Sequence, residues 1–256
     1  WKCADYRKEM IPCMYKKKSL KQFLMRSSKF DKVHDCIQAI RKGRVTINNK
    51  TITNLNYFFN PKKSLVKLNN EKIKKVSNLY FLMNKPAGYI CQKSSKEKSI
   101  YNILKKSEID ENLINSLFAV GRLDKETEGL LIITNEGELS NNIMNPTNKI
   151  IKKYYVKLEK PIDLEKIKKL EEGIEINLGN EIYKTKPCKI KKVREKEIYV
   201  SMFEGKKRQI RKMFDAIGNM VFYLRRVSIG GLQLGNLKSG EIKPVAREEI
   251  IEKLNF

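Results

Sequence analysis

Apolar and polar positions change their period several times along this 256-residue chain, and each change marks a new element. In "LKQFLM" the apolar residues Leu20, Phe23 and Leu24 fall at helical spacing. In "DKVHDCIQAIRKG" the residues Val33, Cys36, Ile37 and Ile40 share one helical face, with Asp31 as the expected N-cap and Gly43 as the stop. The period then drops to two in "RVTINNKTI". There Val45 and Ile47 alternate with polar residues, and Asn48-Asn49 predicts a hairpin turn. Residues 1–18 form a basic tail before this compact unit at 19–66, and the polar residues 67–78 read as its edge plus a linker.

A larger domain is expected over 79–256. It opens with "LYFLMNKPAGYI", an apolar strand broken by Pro86 and Gly88. Further strands are predicted over Leu130–Thr134, Tyr154–Leu158, Cys188–Val193 and Ile198–Phe203. Helices are predicted over Ile100–Lys106, Glu136–Ile143, Leu164–Glu172 and Gln209–Ile217. Strands and helices mix without regular βαβ alternation, which predicts an α+β fold with a largely antiparallel sheet.

Composition narrows the function. With 41% hydrophobic and 32% charged residues the chain is globular. Lys and Arg number 54 against 29 Asp and Glu, a net charge of +25. Such an excess repels itself unless a polyanion absorbs it, so nucleic acid is the expected partner, ahead of an anionic membrane surface. The chain is rich in Lys, Asn and Ile together, which accounts for part of the Lys excess, whereas the arginines are fewer and more clustered. The five cysteines form no Cys-x-x-Cys pair and His34 is the single histidine, which argues against a zinc site or a disulfide framework and for an intracellular setting. No metal and no cofactor are expected. No apolar run is long enough to span a bilayer. The chain begins at Trp1 rather than Met, which leaves room for an upstream targeting segment.

The densest polar loop is "GRLDKETEG", directly before the apolar run Leu130–Ile133. Gly121 and Gly129 bracket it, Leu123 and Leu130 anchor it, and Arg122 adjoins Asp124. An exposed acidic loop is commonly solvated decoration. A carboxylate in a basic surround, however, is favoured in its ionised form and can serve as nucleophile or base. Downstream, "EGKKRQIRKM" places Lys206, Lys207, Arg208, Arg211 and Lys212 around a helix start, a natural phosphate site whose alternative is a solvated basic face.

Two resemblances follow from these residues. "AIRKGRVTINNKTI" resembles the core of an S4 RNA-binding domain, a match that covers about residues 20–66. It departs from the family where a Ser-Arg-Arg is replaced by Lys32, Val33 and His34; Lys32, Arg41 and Arg44 would supply phosphate contacts. "GRLDKETEGLLIITNEGEL" resembles the catalytic motif of the pseudouridine synthases, the RsuA/RluB-type enzymes that modify ribosomal RNA. "FLMNKPAGYICQ", "KKYYVKL" and the segment from Glu204 to Glu241 resemble three further motifs of that family in order.

The resemblance implies an S4 module in front of an α+β catalytic domain that isomerises uridine without a cofactor. Asp124 would be the catalytic aspartate and Arg122 would hold the RNA open. Tyr154 would stack on the flipped base and help move the C5 proton. Arg211 would pair with Asp124, Ile210 would pack beside the base, Arg208 and Lys212 would contact RNA, and Lys85 and Pro86 would be structural. If the strand register differs by one, Tyr155 takes the place of Tyr154. The expected partner is ribosomal RNA, large-subunit ahead of small-subunit, alone or in pre-ribosomal particles. The chain is expected to act as a monomer in the cytoplasm or in an organelle with bacterial-type ribosomes. The rival readings are a non-catalytic S4-type assembly factor and a carboxylate hydrolase.

Overall fold

The computed structural model describes residues 18–255 except 28, 31, 74 and 75, and it divides into two compact units between Ser77 and Asn78. The expected N-cap Asp31 and the basic tail up to residue 17 lie outside the described residues.

The first unit contains β1 (Lys18–Ser19), α1 (Leu20–Arg26), α2 (Val33–Arg41), β2 (Val45–Ile47), β3 (Lys50–Thr51), β4 (Phe58–Phe59), β5 (Val66–Leu68) and β6 (Glu71–Lys72). A reciprocal capping box of Ser19 and Gln22 starts α1. Helix α2 buries Cys36, Ala39 and Ile40. Val33, expected on that face, is exposed, because it stands in the first turn beyond the reach of the core. Gly43 ends the helix with a positive φ. Strands β2, β3, β5 and β6 form one sheet in the order β3-β2-β5-β6. Both of its tight hairpins turn on an Asn-Asn pair with positive φ, Asn48-Asn49 and Asn69-Asn70, as the right-handed strand twist requires. The module edge expected within 67–78 is therefore the second hairpin, and the unit extends to Ser77.

The second unit is built on a nine-stranded sheet. Its first half runs β7 (Tyr80–Lys85), α3 (Ile100–Leu104), α4 (Glu111–Ile114), β8 (Phe118–Val120), β9 (Glu128–Thr134), α5 (Gly137–Met144) and β10 (Lys152–Leu158). After α6 (Leu164–Glu172) comes a small hairpin of β11 (Glu175–Asn177) and β12 (Ile182–Lys184). Then follow β13 (Lys189–Arg194), β14 (Glu197–Met202), α7 (Gln209–Asp215), β15 (Val221–Ile229), β16 (Leu232–Gln233), β17 (Ile242–Pro244) and α8 (Arg247–Leu254). The order is β13-β14-β10-β15-β9-β7-β17, with β8 beside β9 and β16 beside β15. Every pairing is antiparallel except β9 with β15. This is the α+β architecture expected from the mixed pattern.

Buried alternate residues decide the layers. Met83, Leu131, Ile133, Tyr154, Val156, Ile198 and Val200 share one core with Ile167 and Leu170 of α6 and Ile210, Met213 and Phe214 of α7. Leu82, Leu130 and Ile132 point the other way, to a second core completed by α5 and α8. Strand β9 is thus buried on both faces, which explains its unbroken apolar run. Strand β15 was not anticipated. Its alternation is interrupted by Arg225-Arg226 and by two register shifts against β10, and both blur the period of two.

Candidate active site

The polar loop spans Gly121 to Thr127, between β8 and β9. These two strands are neighbours, so the loop is a hairpin connection. Along the same edge of β9, β15 pairs its first two residues and β8 its last three. The loop emerges at the split between them.

Two fully buried cations fix its backbone. The side chain of Arg226 donates from Nε to Leu130 O at 2.7 Å and from Nη2 to Gly121 O at 2.7 Å, so it ties the loop entry to the strand that follows. The ammonium of Lys85, with no exposure at all, donates to Pro86 O, Lys125 O and Thr127 O at 2.9, 3.1 and 2.8 Å. Burial pushes the Lys85 pKa down, while Cys91, Glu126, Glu128 and Asp124 act in the opposite direction. The backbone N–H of Gly88 adds a bond to Lys125 O at 2.8 Å, and Thr127 N–H closes a turn on Asp124 O at 3.1 Å. Cys91 Sγ packs against Leu123, within 3.4 Å of its N and 3.3 Å of its O. A loop with its backbone bonds satisfied from below can hold a side chain up without borrowing that side chain for its own stability.

That side chain is Asp124. It is partly exposed in a cleft of about 650 Å³, together with Arg122, Tyr154, Met202, Lys206, Arg208 and Ile210. Among the described residues no hydrogen bond or ion pair occupies its carboxylate. The other carboxylate on the cleft wall, Glu97, is already paired with Lys125 at 2.9 Å.

Tyr154 is buried and lines the cleft, while Tyr155 points to the opposite face, where its ring meets Tyr199 and Tyr223. The alternation of β10 leaves Tyr154 as the cleft tyrosine. Two residues before it, Lys152 is buried and donates to Ile150 O and Phe203 O at 3.2 Å each, and burial lowers its pKa to about 8, with Arg226 adding to the effect.

The far wall comes from residues 203–210. Buried Glu204 receives Tyr183 Oη at 2.6 Å and Lys186 N at 2.9 Å, and it also receives Gln209 Nε2. Gln209 Oε1 in turn accepts Lys206 N at 2.8 Å. This network forces Arg208 into a left-handed backbone conformation, φ 54°, at the start of α7. Non-glycine residues seldom adopt it. The turn sets Lys206, Lys207 and Arg208 along the cleft rim.

The structure thus gathers Asp124, Arg122, Tyr154, Ile210 and Arg208 into one cleft. Two expected members stand differently. Lys212 donates to Asn177 O at 2.6 Å, away from the cleft lining, because it lies one turn along α7 facing the small hairpin. Arg211 donates to Val221 O at 2.8 Å and Glu126 O at 3.4 Å, and no ion pair joins it to Asp124. Its Nε is buried without a partner. Burial pushes the Arg211 pKa down and Arg208 adds to this, while Asp124, Glu126 and Asp215 oppose it. Arg211 therefore braces the loop through the backbone of Glu126. We expect Arg211→Met to loosen this loop and lower the unfolding free energy by about 1.5–3 kcal/mol, the usual contribution of a hydrogen bond from a charged donor, read as a drop in Tm. An unchanged Tm would show that the brace is dispensable. Lys32, Arg41 and Arg44 are exposed on the first unit.

Sequence reasoning missed Arg226 and the Glu204–Gln209 pair. Arg226 left a readable trace: a charge at a core-facing position of "VFYLRRVSI" must find buried acceptors.

The cleft thus brings together, among the described residues, a carboxylate without hydrogen bond or ion pair, a buried tyrosine and a rim of cations. Comparison with known proteins makes the class specific. The family model described as RNA pseudouridylate synthase matches residues 79–216. Ribosomal small subunit pseudouridine synthase A of Escherichia coli K12 is 31% identical over 82% of this chain and 89% of its own length. Ribosomal large subunit pseudouridine synthase B of Bacillus subtilis is 32% identical over 83% of this chain and 86% of its own. A crystal structure of a pseudouridylate synthase superposes with a TM-score of 0.65 at 29% identity, covering 92% of this chain and 99% of that one. The chain belongs to the RNA pseudouridylate synthase family.

Proposed function

We propose that this protein isomerises uridine to pseudouridine in ribosomal RNA, with Asp124 as the catalytic carboxylate. The observation that carries this reading is the uncommitted carboxylate of Asp124, held in the same basic cleft as Tyr154 by a loop whose backbone is bonded elsewhere. The reaction breaks the glycosidic C1′–N1 bond and forms C1′–C5. The C5 proton leaves and N1 gains one, so no redox partner or external group is required.

The target uridine must leave its stack, at a cost of a few kcal/mol. The cleft is large enough to receive it. Arg122, Lys206, Lys207 and Arg208 at the rim offset part of that cost through the RNA phosphates. Tyr154 stacks on the flipped base and helps to move the C5 proton, and Ile210 packs at its edge. Arg211 keeps the loop, and with it Asp124, aimed.

The first unit acts as an S4-type RNA-binding module, with Lys32, Arg41 and Arg44 on phosphates. Its two-helix and hairpin arrangement supports this assignment, and so do its exposed cations. Relatives are named for either ribosomal subunit. We take large-subunit RNA as the first target, on the segments "EGKKRQIRKM" and "LGNLKSGE". The protein acts as a monomer on free RNA or on pre-ribosomal particles, inside the cell. Among the described residues no helix is long and apolar enough to cross a membrane.

The test is tritium release from 5-tritiated uridine in large- and small-subunit ribosomal RNA transcripts, followed by mapping of the modified position. Release from one transcript at one site is the expected result. Binding of both transcripts without any release would favour the non-catalytic assembly factor.

A further inference from the structure

The large sheet is covered unevenly. Around β7 and β9 both faces carry a core. Around β13, β14 and β10 only the Tyr154 face does, through Val156, Ile190, Ile198 and Val200. Among the described residues, the opposite face gives no residue to any core. Its register is explicit. Tyr155 stands opposite Tyr199 on β14 and Arg225 on β15, and Lys157 stands opposite Glu197 and Tyr223. Lys153 and Lys189 flank Ser201, and Lys191 stands opposite Tyr199.

Three tyrosines therefore pave an open sheet face. The ring centroids of Tyr155 and Tyr199 lie 5.5 Å apart, and those of Tyr155 and Tyr223 lie 6.2 Å apart. Lys153 Nζ sits 4.4 Å from the Tyr199 ring centre. Strands are spaced about 4.8 Å apart, so the four strands from β13 to β15 present a face roughly 15 Å wide.

The charges on this face are unbalanced. Among the described residues its carboxylates on these strands are Glu128 and Glu197, and both are committed. Glu128 accepts Tyr223 Oη at 2.6 Å, and Glu197 accepts Tyr155 and pairs with Lys157 at 3.5 Å. Burial and these carboxylate bonds raise the pKa of Tyr155 and Tyr223 to about 12, so both stay neutral and cannot offset the cations. Arg225 is the opposite case. Among the described residues its guanidinium has no hydrogen bond or ion pair, and its Nε is buried without a partner. A protein partner of ordinary composition would have to bury these lysines, which is costly. A polyanion with flat bases satisfies both the lysines and the rings.

We propose that the open sheet face around Tyr155, Tyr199 and Tyr223 is a second RNA-contact surface, which takes an unpaired strand of the substrate RNA outside the catalytic cleft. The proposal rests on the isomerase reading only for the identity of the RNA. Glu128 links the two places: it begins β9 directly after the Asp124 loop and holds Tyr223 of the open face. A strand leaving the cleft can continue on this face within the same molecule. The lysines contact phosphates, and the tyrosine edges and Arg225 meet bases.

The test uses the full chain with Lys153, Lys189 and Lys191 all changed to Ala, none of which lines the cleft. A ribosomal RNA fragment carrying the target uridine and its single-stranded flanks is titrated at several salt concentrations, and single-turnover rates are read at saturating RNA. We expect the slope of log K against log salt to fall by about 2, at roughly 0.7 per lost phosphate contact of a single strand, and Kd to rise roughly 5- to 30-fold near 0.15 M salt. The rate at saturation is expected to stay unchanged, and the corresponding Lys→Arg variant to restore affinity. A slope and Kd equal to wild type in the folded Ala variant would overturn the proposal. So would retained RNA affinity with lost association to pre-ribosomal particles, which would mark the face as a protein contact. Binding is read without turnover, so a failure of the isomerase reading shows up separately, as absent tritium release with the salt response intact.

Discussion

Asp124→Asn is expected to abolish turnover, by roughly 10⁴-fold or more, while leaving the fold and RNA binding close to wild type. The argument comes from what Asp124 does not do. Its carboxylate holds no part of the loop, because the turn is closed by backbone bonds and by the buried cations Lys85 and Arg226. Asparagine has the same shape and leaves those bonds alone, so the stability change should stay within about 0.5 kcal/mol. What asparagine lacks is the anion that attacks or accepts a proton. RNA affinity is expected to come mainly from phosphate contacts made by other residues, so it should be kept. Tritium release, thermal melting and RNA titration on the same preparation test all three parts. Turnover near wild type would remove Asp124 from the chemistry.

Gly129→Ala should cost about 2–5 kcal/mol and lower the Tm by roughly 5–15 °C, with activity falling alongside. Gly129 is the second residue of β9, with φ at 109°, opposite Arg226 of β15 in the sheet's parallel pairing. A Cβ there would lie 2.2 Å from Arg226 O and 2.7 Å from Arg226 N. Both are backbone atoms, so no side chain can swing aside. Either β15 moves or β9 does, and Arg226 then loses its hold on Gly121 O and Leu130 O. Each carbonyl left buried without a donor adds about 1–3 kcal/mol. Gly88→Ala is the control. Gly88 also has a positive φ, 81°, but nothing lies within 4 Å of its would-be Cβ, so only the backbone cost of about 1–2 kcal/mol should appear. Thermal unfolding of both variants separates the two contributions. Equal Tm values would mean that the close approach to Arg226 carries no weight.

Legibility from sequence followed the strength of the local signal. Elements with a clean period were read well: helix α6 spans Leu164–Glu172 as expected, and β10 and β14 lie within two residues of their expected positions. The Asn48-Asn49 turn was readable because only a few residue types tolerate two successive positive φ values. Short elements without a period of their own, such as β8 and β11, were not, and β15 was hidden by its paired arginines and its bulges.

The division within the site has the same cause. The residue types at Asp124, Arg122, Tyr154 and Arg208 were visible because each stands in a local motif, and a net charge of +25 pointed to a polyanion. The sequence by itself determined the class of chemistry and singled out Asp124 as the candidate carboxylate. Contacts between residues far apart in the chain were decided only in three dimensions. Arg226 reaches Gly121 across 105 positions and Lys85 reaches Thr127 across 42. Arg211 holds the backbone of Glu126 across 85 positions, whereas the sequence motif implies a direct pair with Asp124. The choice between Tyr154 and Tyr155 likewise waited on the sheet. A strand has two faces, and its alternation alone does not say which of them meets the cleft. Packing of α6 and α7 on the Tyr154 side decided it, and the same packing left the Tyr155 side open.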